Sequence, residues 1–249
     1  MKYAGIDIGS RFIKYVITED SKIIEFYKES TGHNPLGICN EMIKKTEPDM
    51  LTATGYGRYL LELKDIKSIT EIKAVSIGAK KLFPYCRTVI DIGGQDTKVI
   101  GLDESGHVSD FEMNDRCAAG TGKFIEIMSQ TLGYKLEDFG NESTCAIKEK
   151  IKINSMCTVF AESEVISLIA KGTGRHDIAW ALHNSIIDKI IPLVNRVGLK
   201  EDIVFAGGCA RNVCLKNIIE ERLKKNIWIY ENPEIIAAFG AALYGQNNH

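Results

Sequence analysis

Short apolar runs of strand length alternate along the chain with longer segments in which apolar residues recur at helical spacing. The short runs predict strands at residues 13–17, 97–102, 203–205 and 227–230. The periodic segments predict helices at residues 40–45, 71–83, 122–132, 159–170, 178–197 with a kink at Pro192, and 233–244. The last of these is rich in glycine and alanine, which predicts close packing. Because strands and helices alternate throughout, the predicted fold class is α/β.

One strand and its turn occur twice. The segment Ile6-Asp7-Ile8-Gly9 recurs as Ile90-Asp91-Ile92-Gly93, and Lys14 recurs at the same offset as Lys98. Each copy predicts a β-hairpin with an aspartate just before its glycine turn. The two copies lie too far apart for a solenoid and indicate two similar lobes, residues 1–87 and 88–232. The C-terminal helix, 233–249, is expected to pack back onto the first lobe.

The charge balance excludes several kinds of partner. Thirty-one Lys and Arg residues stand against 33 Asp and Glu, a net charge of −2. Such a chain lacks the basic excess that favours nucleic acid or an anionic membrane surface, so neither is an expected partner. No apolar run approaches the ~20 residues of a membrane span, and no signal segment is evident, which predicts a cytoplasmic location.

The paired hairpins are candidates for binding phosphate. A glycine turn between two strands presents backbone N–H groups in a concave array. Two such turns, facing each other across a cleft and each carrying an aspartate, are typical of a nucleoside triphosphate site with a hydrated Mg²⁺. The alternative is that Asp7 and Asp91 only cap their turns. A third candidate, residues 206–212, follows a predicted strand and has two glycines that would let a flat adenosine approach; its alternative is an ordinary strand-to-helix turn.

These three segments together resemble a known superfamily. Asp7-Ile8-Gly9-Ser10, residues 91–98 and Gly207-Gly208 are similar to the phosphate-1, phosphate-2 and adenosine loops of the superfamily of acetate and sugar kinases, heat-shock chaperone ATPases and actin. The resemblance covers the whole chain. It implies two similar lobes with ATP or ADP in the cleft between them.

A narrower resemblance lies between the second and third loops. Residues 114–124 and 157–165 are similar to the signatures of the 2-hydroxyacyl-CoA dehydratase activators, the family of the BadF/BadG/BcrA/BcrD ATPases, and residues 53–58 and 71–72 match further family segments. In that family the cysteines that match Cys117 and Cys157 bind one [4Fe–4S] cluster shared by a homodimer. Both cysteines also precede predicted helix starts, where the helix dipole favours a thiolate. Two ligands per chain are half of the four that such a cluster requires.

The resemblance assigns roles to individual residues. Asp7 and Asp91 would organise Mg²⁺ and form the catalytic group with Gln95, which would orient the attacking water. The nucleotide would be bound by three sets of residues: Gly9, Ser10, Arg11, Phe12, Ile13 and Lys14; Gly93, Gly94, Gln95, Asp96 and Thr97; and Gly207, Gly208, Cys209, Ala210 and Asn212.

The expected function is that of an ATP-hydrolysing one-electron donor. By resemblance, this oxygen-sensitive protein of anaerobic metabolism would take an electron from ferredoxin or flavodoxin. It would pass that electron to an iron–sulfur acceptor: a 2-hydroxyacyl-CoA dehydratase, a benzoyl-CoA-type reductase or a double-cubane-cluster protein. Two alternatives stay open, a nucleotide-binding iron–sulfur redox sensor and a small-molecule kinase of the same superfamily.

The remaining cysteines and histidines suggest no further chemistry. Cys39, Cys86, Cys145, Cys209 and Cys214 are expected to be inert thiols. The five histidines are scattered, which favours surface or capping roles for all of them. Gly55-Tyr56-Gly57 lacks the third glycine of a dinucleotide loop.

Overall fold

A computed structural model describes residues 1–62, 66–115, 120–146, 151–153 and 158–248. The chain divides into two compact units. The first unit contains Met1–Val89, Ile100–Asp110 and Tyr230–His249, and the second contains Ile90–Val99 and Phe111–Ile229.

The described strands form two five-stranded sheets. They are β1 (Tyr3–Ile8), β2 (Phe12–Glu19), β3 (Lys22–Ser30), β4 (Met50–Thr54), β5 (Lys67–Ser68), β6 (Thr88–Ile92), β7 (Thr97–Leu102), β8 (Val108–Asn114), β9 (Ile203–Ala206) and β10 (Ile227–Trp228). One sheet has the order β3-β2-β1-β4-β5 and the other β10-β9-β6-β7-β8. In the first sheet β2 is antiparallel to β1 and β3, whereas β4 is parallel to β1 and β5.

Helices account for most of the remaining described residues. They are α1 (Pro35–Thr46), α2 (Tyr59–Glu62), α3 (Glu71–Leu82), α4 (Gly122–Thr131), α5 (Leu136–Thr144), α6 (Thr158–Ala170), α7 (Arg175–Val197), α8 (Val213–Leu223) and α9 (Ile236–Asn247). With two sheets and these helices, the α/β prediction is confirmed.

The elements with strong periodicity are confirmed to within a few residues. Those are α3, α4, α6, α7 with Pro192 inside it, β7 and β9. The helix predicted at 40–45 begins earlier, at Pro35, because the Asn34 side chain caps it by accepting from the Gly37 N–H at 3.1 Å. The strand predicted at 227–230 ends at Trp228. Sequence periodicity did not predict β3, β4, β5, β8, α2 or α5. The helix expected directly after the loop 206–212 is confirmed as α8.

Helix α9 packs at unusually short range within the first unit. A Cβ at Gly5 of β1 would lie 1.9 Å from the Ala238 carbonyl oxygen, and one at Gly240 would lie 1.8 Å from that of Ala74 in α3. Both distances are far inside van der Waals contact, so only glycine fits at either position. The close packing predicted for the glycine-rich helix is confirmed.

The second unit has a larger apolar core, which lies among α4, α5, α7, α8 and the strands β6 and β9. Phe124, Phe139, Ile186 and Phe205 are almost fully buried in it. His183 of α7 is also fully buried, with 0% of its surface exposed. The expectation of a surface or capping role was therefore wrong for this histidine: α7 is buried along much of its length, and residue 183 is on its inner face.

Candidate functional site

The first hairpin joins β1 to β2 through a turn closed by a hydrogen bond from the Gly9 N–H to the Phe12 carbonyl at 3.2 Å. The Thr31 hydroxyl donates to the Gly9 carbonyl at 2.8 Å and fixes the turn against the end of β3. Asp7 and Lys14 are direct cross-strand partners beside this turn. The Lys14 Nζ lies 2.8 Å from Asp7 Oδ2, so a cation and a carboxylate are held together at the start of the turn.

Asp7 has one oxygen that the described part of the chain does not satisfy. The residue is 3% exposed, and Oδ1 has no hydrogen-bond partner there. A buried carboxylate oxygen without a donor is costly, whereas a cation or an ordered water would stabilise it. Gly55, which follows β4 with φ +87°, lies against it, and a Cβ there would be 2.3 Å from Oδ1. Glycine therefore keeps the space beside this oxygen clear of any side chain.

The second hairpin repeats the turn closure and the facing glycine but has a different close ion pair. The Gly93 N–H donates to the Asp96 carbonyl at 2.9 Å, the same closure three residues along the chain as in the first hairpin. Lys98 is 2% exposed, and its Nζ lies 2.8 Å from Asp96 Oδ2 and 4.0 Å from Asp91 Oδ2. Gly207 follows β9 with φ +81°, and a Cβ there would be 2.4 Å from Asp91 Oδ1. Each aspartate thus faces a left-handed glycine at the end of the neighbouring strand.

Gly55 is the functional candidate that sequence reasoning missed. The segment 53–58 resembles a family segment and fails as a dinucleotide motif, but neither feature assigns a role to Gly55. The structure instead places Gly55 beside Asp7 in the way that Gly207 lies beside Asp91, because β4 is next to β1 and β9 is next to β6. The sequence signal that could have identified Gly55 is a glycine directly after a short strand, which occurs once in each lobe.

The third loop consists of Gly207, a 3₁₀ turn over Gly208–Arg211, and Asn212 at the start of α8. A Cβ at Gly208 would meet nothing within 4 Å, so the backbone there is open to approach. The Cys209 thiol lies 3.9 Å from the Gly93 carbonyl oxygen. Burial, and secondarily the Asp91 carboxylate, raises the pKa of that thiol to about 12, which keeps it neutral.

Helix α4 is attached to the second hairpin at its first residues. The Gly122 N–H donates to the Gly93 carbonyl and the Lys123 N–H to the Gly94 carbonyl, both at 2.9 Å. These are N–H groups that a helix cannot satisfy internally. The start of α4 is therefore bound to the turn that carries the phosphate-2 prediction.

The other predicted residues differ in how far their side chains are exposed. Ile13 is fully buried in the first-unit core, so only its backbone could face a ligand. Ser10 and Gln95 are exposed in their turns, and Thr97 is buried, with its hydroxyl donating to the Gly120 carbonyl at 2.7 Å. Cys117 and Cys157 lie outside the described residues. No group of three or more potential metal-binding side chains is found among the residues that are described.

The described helices include none that is both long and apolar enough to cross a membrane.

The chain is similar to proteins of assigned activity over nearly all of its length. It is 40% identical to the (R)-2-hydroxyglutaryl-CoA dehydratase activating ATPase of Acidaminococcus fermentans over 249 residues, 96% of this chain and 95% of the relative. The solved activator of the 2-hydroxyisocaproyl-CoA dehydratase from Clostridium difficile, with bound ADPNP, matches with a TM-score of 0.90 at 35% identity, covering 99% of this chain and 95% of that one.

A more distant likeness concerns the fold alone. A ROK family glucokinase from Streptomyces griseus matches with a TM-score of 0.59 at 9% identity, with both chains fully covered. The predicted sugar-kinase and actin-like architecture is confirmed. The model of the BadF/BadG/BcrA/BcrD ATPase family matches residues 4–245, and the chain therefore belongs to this family of ATPases.

Proposed function

We propose that this protein is an ATP-dependent one-electron donor that activates a partner iron–sulfur enzyme. The observation that carries the proposal is the repeated hairpin, in which an aspartate before the turn has a lysine within 4.0 Å and a left-handed glycine facing it. It occurs in a chain of an ATPase family whose relatives are named as dehydratase activators. The acceptor would be a 2-hydroxyacyl-CoA dehydratase, a benzoyl-CoA-type reductase or a double-cubane-cluster protein. The electron would come from ferredoxin or flavodoxin, and the reaction would take place in the cytoplasm.

The nucleotide would be bound by the backbone of the two hairpin turns and of the loop after β9. Asp7 and Asp91 are the acids we assign to Mg²⁺, and the unsatisfied Oδ1 of Asp7 supports a cation or a metal-bound water at that position. Lys14 holds the Asp7 carboxylate in place, whereas Lys98 pairs with Asp96 and lies 4.0 Å from Asp91; both lysines add positive charge for the phosphates. Gln95, exposed in its turn, is our candidate for orienting the attacking water.

The iron–sulfur assignment rests on Cys117 and Cys157, which precede α4 and α6 in sequence. Two thiols per chain require a second chain to complete a four-cysteine site. An exposed apolar surface on α6 supports the proposal of a second copy. Four large apolar residues of α6 are exposed, with Phe160 69% exposed: Val159, Phe160, Ile166 and Ile169. Because only Ala161 and Val165 of this apolar helix are buried, the described residues of one chain cover it incompletely.

ATP hydrolysis would be coupled to the cluster cysteines through α4. A ligand shifts a conformational equilibrium only through contacts that differ between two states. The bonds from Gly122 and Lys123 to the second turn mean that a change in that turn displaces the first turn of α4. The segment that leads from Cys117 into α4 would thus respond to the nucleotide state. The bound cluster, when present, supplies the single transferable electron.

The test is anaerobic purification with iron and sulfide analysis of the wild-type protein and of Cys117→Ser and Cys157→Ser. We expect about one [4Fe–4S] cluster per dimer in the wild type, and its loss in either variant, because each substitution removes two of four ligands. Cys145→Ser, which changes an exposed cysteine, is the matched control and should retain iron. Full retention of iron in both cluster variants would contradict the assignment.

A second measurement separates the donor from the alternatives. ATP turnover coupled to reduction of an acceptor iron–sulfur protein is expected for a donor only. A cluster without coupled reduction would favour the redox sensor, and phosphorylation of a small molecule in the absence of a cluster would favour the kinase.

A further inference from the structure

His183 is a buried imidazole at a junction of three helices of the second unit. It belongs to α7, its ring centroid lies 4.7 Å from that of Phe139 in α5, and its Nε2 lies 2.9 Å from the Nδ2 of Asn212, which caps α8. None of the roles assigned above includes this side chain. A fully buried polar ring normally has a structural partner for each nitrogen, so the direction of its hydrogen bonds identifies its task.

The partners determine which nitrogen carries the proton. Nδ1 lies 2.7 Å from the Ala179 carbonyl oxygen, which can only accept, so Nδ1 carries the hydrogen. Nε2 is then a bare acceptor, and it receives the hydrogen bond from Asn212. Burial lowers the pKa of His183 to about 4, so the ring stays neutral and keeps this acceptor at physiological pH.

The same bond determines the orientation of the Asn212 amide. Asn212 Oδ1 accepts from the Leu215 N–H at 3.0 Å and thereby caps α8, while Nδ2 donates to His183. Gly140 of α5 packs against the same amide, since a Cβ at Gly140 would be 2.8 Å from Asn212 Oδ1. Asn212 is thus held from both ends of its amide, directly after the 3₁₀ turn at Gly208–Arg211.

We infer that His183 is a positioning residue for the adenosine-binding turn, acting through its hydrogen bond to Asn212. This inference rests on the proposed function, in which the loop after β9 binds the adenosine part of the nucleotide. Losing the acceptor would free the Asn212 amide and loosen the end of the turn. The two phosphate hairpins would be unaffected, because His183 makes no described hydrogen bond to them. The expected consequence is a selective loss of affinity for the nucleoside part.

The experiment compares ADP with inorganic pyrophosphate by calorimetric titration of anaerobically prepared protein. Pyrophosphate probes the phosphate contacts without an adenosine. His183→Phe keeps an aromatic ring beside Phe139 but has no acceptor nitrogen, and it should weaken ADP binding about tenfold, the effect of roughly one hydrogen bond. Pyrophosphate affinity should stay unchanged. His183→Gln offers an amide oxygen to Asn212 and should restore ADP binding to within about threefold of the wild type.

Two further variants make each outcome decisive. Ser185→Ala removes another buried side chain of α7, whose hydroxyl donates only within its own helix, and it should bind both ligands normally. Gly208→Leu adds a side chain where the protein has open space, so it should fold but obstruct adenosine. If His183→Phe fails to fold, the comparison is made between His183→Leu and His183→Gln.

The inference is overturned if folded His183→Phe binds ADP as tightly as the wild type, or if it loses ADP and pyrophosphate equally. When Gly208→Leu weakens ADP binding and His183→Phe does not, only the role of His183 is wrong. Normal ADP binding by Gly208→Leu would instead show that the turn does not contact the nucleotide, and both assignments would fall.

Discussion

Acid should destabilise the second unit through His183 in a way that can be calculated. An unfolded histidine titrates near 6.5, whereas burial lowers the pKa of His183 to about 4 in the folded protein. Among the described residues, the side chains in contact with the ring, including those of Ser143, Asn212 and Phe139, are uncharged. The Ala179 carbonyl favours a protonated ring but offsets only part of the effect of burial. The folded state therefore resists a proton that the unfolded state binds readily.

The sign and size of this pH effect on the unfolding free energy follow from proton linkage. Because the folded pKa lies below the unfolded one, the full stability is present above pH 6.5, falls as the pH drops from 6.5 towards 4, and levels off below that. Each pH unit well inside this interval removes about 1.4 kcal/mol. Between pH 7.5 and pH 5.0, His183 should cost about 2 kcal/mol of unfolding free energy.

The measurement is urea unfolding at those two pH values, followed by tryptophan fluorescence. Both tryptophans of the chain, Trp180 and Trp228, lie in the same unit as His183, so their emission reports on the relevant part of the molecule. His183→Gln should lose about 2 kcal/mol less than the wild type on acidification, because effects of other titrating groups are common to both proteins. His107→Gln, which changes an exposed histidine, should behave as the wild type. Equal acid sensitivity of His183→Gln and the wild type would refute the reasoning.

Three further outcomes are expected. Asp7→Ala and Asp91→Ala should abolish Mg²⁺-dependent ATP hydrolysis while keeping the cluster, since lost charge stabilisation in the transition state is worth several kcal/mol; wild-type hydrolysis in either would show that the phosphates are misplaced. Gly55→Ala should lower ATP turnover by at least tenfold, because its Cβ would lie 2.3 Å from the Asp7 carboxylate at a φ of +87°. Steady-state kinetics check this, and Gly133→Ala is the control because Gly133 has a similarly positive φ and open space around it. Iron chelation by a bulky chelator should be faster with an ATP analogue than with ADP, because the turn that binds Gly122 would differ between the two states; equal rates would argue against the coupled donor.

The sequence by itself determined the features that are local or repeated. Helices α3, α4, α6 and α7 and the strand β7 were predictable because their apolar residues recur at a clear period. The two hairpins were predictable because a strand, an aspartate and a glycine turn recur in the same order. The family could be named because long signature segments keep their residues in sequence, and the match over residues 4–245 confirms it.

Tertiary structure alone decided the contacts between segments far apart in the chain. The pairing of Gly55 with Asp7 depends on β4 lying beside β1, and a strand order is not written in local periodicity. His183 looked like a solvent-facing residue because a single polar position does not reveal which helix face is covered. Its partners, Ser143 and Asn212, are 40 and 29 residues away and meet it only when α5 and α8 pack against α7. Hydrogen bonds of this kind depend on directions set by helix packing, and those directions exist only in the folded chain.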